Sequence, residues 1–284
     1  CSCEACATEI RESTSDTGTP TASGQSGATK QVYSTAEVIN ALRTSDGAYG
    51  SISWEGSSLT YSIGTGQLSA GHSEYDTEHA GYVAMSAAME AAAVEAFELW
   101  DDLIAIDLVA LENDPFADIS FNYSSNTGGG TYAQYSYTWG RAGDRSDYRL
   151  VDSDVWLADH WWTHNQDGDL YQGGYGIMTY IHEIGHTLGL SHPGAYNGSG
   201  SFGADATHFQ DTRGYTVMSY FNADQNGSGT DHYGTMGRSY GATPLLHDIL
   251  AVQAIYGADM TTRTESTVYG FGSTFVHGVS PTFV

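Results

Sequence analysis

The chain has 284 residues, 40% of them hydrophobic and 12% aromatic, enough for one large folded domain or two modest ones. Its charge is lopsided: 9 Lys and Arg against 34 Asp and Glu give a formal net charge of −25, with Lys30 the only lysine. Such a surface repels phosphate backbones and anionic lipid, which excludes nucleic acid as a partner, and no apolar run is long enough to span a bilayer. The same surface suits a secreted or salt-exposed protein.

All three cysteines lie in Cys1-Ser-Cys-Glu-Ala-Cys6, so no disulfide framework holds the body of the fold. The chain opens on Cys1 rather than methionine, as expected of a processed form or a fragment. Residues 1 to 30 are rich in Ser, Thr, Gly and Glu and cannot bury enough apolar surface to order themselves. A flexible, propeptide-like leader is therefore expected over residues 1–45. Within it, Ser34-Thr-Ala-Glu37 has the pattern of a capping box opening a short helix that carries Val38, Ile39 and Leu42.

Asp46-Gly47 marks a turn, and Trp54 is the first large anchor. Leu59 to Ile63 alternates as a strand should. An alanine-rich helix is expected from Glu78 to Trp100, with Val83, Ala87, Val94, Phe97 and Trp100 on its buried face. Ile104 to Val109 and Asp118 to Tyr123 alternate again. Thr131 to Tyr137, after a glycine-rich loop, reads as an edge strand, and Val155 with Leu157 as a fifth strand. Asn165-Gln-Asp-Gly-Asp169 resembles part of a calcium loop but lacks the remaining ligands, so it reads as a solvated turn.

The densest chemical signal is Thr179-Tyr-Ile-His-Glu-Ile-Gly-His-Thr-Leu-Gly-Leu-Ser-His-Pro-Gly194. His182 and His186 are spaced i,i+4, which on a helix projects both imidazoles from one face. Glu183 stands beside the first of them, where a carboxylate can take a proton from a metal-bound water. Gly189 can end the helix and turn the chain so that His192 reaches the same ion. Three protein ligands leave a fourth position open, the catalytic zinc arrangement rather than the structural one. Ile177, Ile181, Ile184 and Leu188 also form an apolar stripe, so the helix belongs to the core as well. Beyond His192 a long Gly-, Asn- and Ser-rich loop is expected. Thr243 to Gly257 then reads as a helix with Thr243 as cap, Pro244 at its first position, Gly257 after its end, and Leu245, Ile249, Val252 and Tyr256 buried.

HExxHxxGxxH is the metzincin signature. His192-Pro-Gly194 together with Val217-Met-Ser-Tyr220 resembles the serralysin group of secreted bacterial zinc proteases. Pro244-Leu-Leu, Ile255-Tyr-Gly257 and the stretch from Thr261 to Phe271 resemble it too. The resemblance implies an α+β fold: a metzincin-type catalytic domain with a twisted, mostly parallel five-stranded sheet, a long zinc-binding helix at the cleft and a mostly irregular C-terminal subdomain. It places that domain at 46–258 and makes 259–284 a linker into a truncated β-roll-like domain.

It further implies a catalytic Zn2+ on His182, His186 and His192, with Tyr220 approaching the metal and able to swing to the oxyanion. Glu183 would be the general base, and Met218 a hydrophobic floor under the histidines. The strand around Ala133 and Tyr135 would hold a protein or peptide substrate antiparallel, in a secreted monomeric endopeptidase. Three departures stand out. The calcium-binding nonapeptide repeats of the group do not occur, Glu265 replaces a glycine so that a Ca2+ site around Arg263 and Thr267 is not complete, and His247 replaces the first of two acidic residues while Asp248 remains. The rival reading is a catalytically silent zinc-containing binding or adhesion module; the intact Glu183 and the open fourth position argue against it.

Overall fold

The computed structural model describes residues 30–43, 51–64, 76–127, 130–139, 147–158, 169–228, 233–234 and 237–262. The expectations for Cys1, Cys3 and Cys6, Asp46-Gly47, positions 165–168 and the stretch from Arg263 onward lie outside the described residues. The helices are α1 (Thr35–Arg43), α2 (Asp76–Ala80), α3 (Ala87–Asp101), α4 (Tyr175–Thr187), α5 (Phe202–Asp205) and α6 (Leu246–Tyr256). The main sheet comprises β1 (Ser51–Ser53), β2 (Ser58–Ile63), β3 (Asp107–Ala110), β4 (Ile119–Ser124), β5 (Tyr132–Trp139) and β6 (Asp147–Ala158). A two-residue pair, β7 (Tyr233–Gly234) and β8 (Gly237–Arg238), stands apart.

The sheet runs β1-β6-β4-β2-β3, every pairing on that path being parallel, and only β5 is antiparallel, against β6. The mostly parallel α+β architecture expected from the motifs is thus present, with the short β1 as an added strand. β5 follows β6 from Tyr148 to Trp156, which leaves the opposite side of β6 to β1 at its start and to β4 at its end. In β4 the alternation does two jobs. Ile119, Phe121 and Tyr123 enter the main core, where Phe121 meets Phe97 and Tyr180 edge-on, while Ser120 and Asn122 join Asp154 in a buried polar group.

The single helix expected from Glu78 to Trp100 is two helices. Gly81 ends α2 where a Cβ would sit 2.5 Å from the Asn126 Cβ, so only glycine lets the chain pass there. The next residues then join the sheet: Tyr82 bridges Ser124, and the Val83 N–H donates to the Tyr123 carbonyl at 2.9 Å. Ser86 restarts the helix as N-cap, its hydroxyl accepting the Met89 N–H. This resets the buried face. Ala87 is exposed and Val94 half-buried, while Met89, Ala92, Ala93, Ala96, Phe97, Leu99 and Trp100 are buried. Small alanines bring α3 close to α4, and the Trp100 indole N–H donates to the Ile181 carbonyl at 3.0 Å.

Two further expectations shift. Ile104 and Ile106 are buried as their alternation suggested, but the strand begins only at Asp107, and Ile104 bridges Ala258 instead. The last helix begins at Leu246 rather than at Thr243. Asp248 accepts the Leu245 N–H at 2.8 Å, which makes Leu245 the cap and takes Thr243 and Pro244 out of the helix. The fully buried residues of α6 are therefore His247, Asp248, Ala251 and Val252, with Leu245, Ile249 and Tyr256 half-buried. Gly257 closes it at φ +82°, as its position predicted.

Residues 30–43 pack onto this body. The capping box forms, with Glu37 accepting the Ser34 N–H at 2.8 Å, and α1 buries Val38 and Leu42 against the core and lies on α6. Upstream, Tyr33 stacks on His208 with ring centroids 4.3 Å apart, and Gln210 exchanges two hydrogen bonds with the Tyr33 backbone. Burial and the neighbouring His247 push His208 down to about 4, with Glu37 pulling weakly the other way. Its folded value lies below its unfolded one, so the stability it contributes is complete above about pH 6.5 and is lost as pH falls towards 4. The thermal midpoint of metal-stripped protein is expected to drop as pH falls from about 6.5 towards 4, and less steeply in His208→Gln. Parallel pH profiles for the two proteins would remove His208 as the cause.

Candidate metal centre

Every residue of α4 is buried, a consequence of its packing on the sheet and α3 while the segment around Val217 and Met218 covers it on another side. Two glycines allow this packing. A Cβ at Gly174, the N-cap, would lie 2.2 Å from the Asp169 carbonyl, and one at Gly185 would lie 2.8 Å from the Met218 sulfur and 3.1 Å from Trp100. Met218 is fully buried and lies against the helix at Gly185, between His182 and His186 in sequence.

At the C-terminal end the chain reverses within four residues. The N–H groups of Leu188, Gly189 and Leu190 donate to the carbonyls of Ile184, His186 and Gly185. Gly189 sits at φ +89°, and a Cβ there would be 2.3 Å from the Ile52 carbonyl oxygen. Left-handed backbone and contact with β1 both demand glycine. Gly189→Ala is therefore expected to cost more than about 3 kcal/mol from strain and steric displacement together. Urea unfolding with an unchanged midpoint would contradict this reading.

The turn brings His192 back over the helix. The Nε2 atoms of His182, His186 and His192 lie 3.1, 3.2 and 3.3 Å apart as a closed triangle. Ligand nitrogens at about 2.0–2.1 Å from a tetrahedral ion are spaced roughly 3.3 Å from one another, so this donor set fits zinc. Each ring is aimed through its other nitrogen: Nδ1 faces the carbonyl of Val217 for His182 (2.8 Å), of Leu190 for His186 (2.8 Å) and of Tyr196 for His192 (3.0 Å). An Nδ1–H donated to each carbonyl puts the Nε2 lone pairs of all three rings on the converging side.

Glu183 is fully buried beside the first histidine. Tyr220 is buried with its ring 4.4 Å from that of His192 and 6.2 Å from that of His182. It belongs to an aromatic cluster with Tyr132, Trp156, Tyr196 and Phe221, separate from the main core. His182, His186, His192 and Tyr220 are thus brought together, with Glu183 on the same helix as the first two. The side chain of Tyr135 lies outside the described residues, whereas Ala133 is buried on β5.

Two carboxylates support the centre without lying in the motif. Asp248, fully buried, accepts the Thr216 hydroxyl, the Val217 N–H at 2.9 Å and the Leu245 N–H. Burial pushes it up to about 6 against the pull of those donors. It thus grips the residue whose carbonyl orients His182. Asp211 accepts the hydroxyls of Tyr196 (2.6 Å) and Ser219 (2.8 Å). Asp248 was visible in the sequence only as a retained acid of α6, and Asp211 was hidden in a loop of ordinary polar composition.

The matrixin model of M10 peptidases matches residues 53–198, from β1 through the third histidine and past it. The chain belongs to the matrixin family. Among curated relatives of this matrixin, the serralysin of Photorhabdus sp. (strain Az29) is 37% identical over 197 residues, 68% of this chain and 38% of that protein. The metallopeptidase AprA of Pseudomonas marginalis is 32% identical over 249 residues, 86% of this chain and 49% of the relative. Serralysin A of Dickeya chrysanthemi is 36% identical over 234 residues, covering 78% and 44%. The chain thus spans less than half the length of these relatives, and it is a serralysin-like metzincin of a zinc-dependent peptidase family. No described helix is long and apolar enough to cross a membrane.

Proposed function

We propose that this matrixin is the catalytic domain of a secreted zinc endopeptidase, with His182, His186 and His192 as the metal ligands, Glu183 as general base and Tyr220 as the group that steadies the oxyanion. The observation that carries the reading is the triangle of Nε2 atoms, each imidazole locked from behind by a backbone carbonyl. Zinc, when bound there, supplies a Lewis acid that acidifies water and polarises the scissile carbonyl.

The remaining work falls to side chains of this chain. Glu183, fully buried and next in sequence to His182, takes a proton from the attacking water as the water oxygen bonds to the carbonyl carbon. The same carboxyl then delivers that proton to the amine nitrogen as the carbon–nitrogen bond breaks. The Tyr220 hydroxyl donates to the oxyanion between these events. Among the described residues β5 pairs only with β6, so its other edge can take an extended peptide as one more antiparallel strand. The acidic, lysine-poor surface supports secretion and protein substrates rather than nucleic acid.

Casein hydrolysis by the purified chain, stopped by a zinc chelator and restored by stoichiometric zinc, is the expected result. A protein that binds one zinc and cleaves no casein or peptide-library member would instead be the silent binding module.

A further inference from the structure

We infer that Asp211 is a positioning residue that ties the third metal histidine and Tyr220 to one buried carboxylate. The inference rests on the ligand and oxyanion assignments proposed above. It begins from a difference among the three histidines. His182 and His186 ride on α4, whose backbone ladder fixes their Cα positions. His192 comes from a stretch without regular secondary structure, so its aim depends on side-chain contacts around it.

Those contacts run through Tyr196. Its carbonyl faces His192 Nδ1 at 3.0 Å, and its ring stacks on the imidazole at 5.4 Å and 19°. At its far end the Tyr196 hydroxyl donates to Asp211 Oδ1 at 2.6 Å. The same oxygen accepts the Ser219 hydroxyl at 2.8 Å, and Oδ2 accepts the Thr207 N–H at 3.3 Å. Ser219 Oγ in turn accepts the Phe221 N–H at 3.2 Å, so the peptide unit that follows Tyr220 is tied through the Ser219 hydroxyl to Asp211. Tyr196 and Tyr220 also touch directly, with ring centroids 4.9 Å apart.

Asp211 and Ser219 are essentially inaccessible to solvent and Tyr196 nearly so, so these bonds are made away from competing water. Asp211 touches neither the metal position nor a reacting atom. Its effect passes through two arms: Tyr196 sets the direction of the His192 lone pair, and Ser219 sets the position of the Tyr220 hydroxyl. A brace that only stabilised the loop would give one phenotype, a lower melting temperature. Two arms to two functional groups give two separable phenotypes.

The test uses the full chain with Tyr196→Phe, Ser219→Ala, Asp211→Asn and Asp211→Ala. Each is measured by zinc competition against a chromogenic chelator, by the visible spectrum of the cobalt-substituted protein, and by kcat and KM on a fluorogenic peptide. Tyr196→Phe is expected to raise the zinc Kd roughly tenfold and to shift the cobalt bands, the usual scale for losing an outer partner of a ligand histidine. Ser219→Ala is expected to leave the zinc Kd in place and lower kcat roughly tenfold with KM within about twofold. Asp211→Ala should show both changes, and Asp211→Asn, which keeps an acceptor oxygen for the two hydroxyls, should recover most of each.

Unchanged zinc Kd and cobalt spectrum in Tyr196→Phe, with unchanged kcat in Ser219→Ala, would overturn the inference. Should Asp211→Ala not fold, those two single-hydroxyl deletions decide the matter. A zinc-loaded wild type without peptidase activity would overturn the proposed function while the metal-affinity arm still reads the Asp211–Tyr196–His192 connection.

Discussion

Glu183→Ala is expected to bind zinc at the wild-type stoichiometry and to lose casein hydrolysis by roughly a hundredfold to ten-thousandfold, the usual cost of removing a general base, since no second carboxylate in the motif can replace it. The two properties separate for a structural reason. The three imidazoles are aimed by the carbonyls of Val217, Leu190 and Tyr196, none of which involves the Glu183 side chain. Its neighbour in sequence, His182, is held from the far side. Metal affinity should therefore survive while proton transfer does not. The decisive measurements are zinc content by atomic absorption and kcat on casein, taken on the same preparation. Comparable cleavage by the variant would end the assignment of Glu183 as base, and loss of zinc would mean that the residue holds the site together rather than working in it.

The second large effect is expected at Asp248, on stability and on metal binding together. Replacement by alanine strands the Thr216 hydroxyl and the N–H groups of Val217 and Leu245, all of which now meet a fully buried carboxylate. Each orphaned buried donor costs about 1–3 kcal/mol, so the total is roughly 3–5 kcal/mol once the hydroxyl is allowed to rotate. For a domain of this size that lowers Tm by about 10 °C. The cost has a functional side, because Val217 presents its N–H to Asp248 and its carbonyl to His182. Loosening the backbone at Val217 on its N–H side frees its carbonyl, and with it the His182 ring, so zinc affinity is expected to fall by roughly tenfold or more. Calorimetry of the metal-free and zinc-loaded proteins checks both parts. A metal-free melting temperature within about 2 °C of wild type would show that the three donors find other partners. Asp248→Asn, which keeps one acceptor oxygen, should fall between the two.

The chemistry of the site was legible in a short window because its spacing is helical. The i,i+4 pair His182 and His186 needs only the regular geometry of α4, and Gly189 announces the turn that returns His192. Met218 and Tyr220 were legible for a weaker reason, the resemblance of Val217-Met-Ser-Tyr220 to a known pattern. Strand positions followed from alternation for β2 and β4, where one face is packed against helices. The helix expected across Gly81 failed because local propensity weighs alanine content, while the break is set by a close approach to Asn126 and a bridge to Ser124, some forty residues away. The start of α6 failed similarly: Thr243 and Pro244 have the right capping chemistry, but the Asp248 carboxylate caps at Leu245 because it also serves Thr216 and Val217.

Sequence alone supplied the candidate ligands, the candidate base and the turn glycine, from helical spacing and the conformational needs of glycine, and it supplied the class of fold through the resemblance its motifs carry. Only the tertiary structure decided how those ligands are aimed. The carbonyls of Val217, Leu190 and Tyr196, and the carboxylates of Asp248 and Asp211 behind two of them, act across loops with no period to read. Their roles depend on which backbone groups burial brings within hydrogen-bonding distance, and that is a property of the packed chain rather than of any stretch of it.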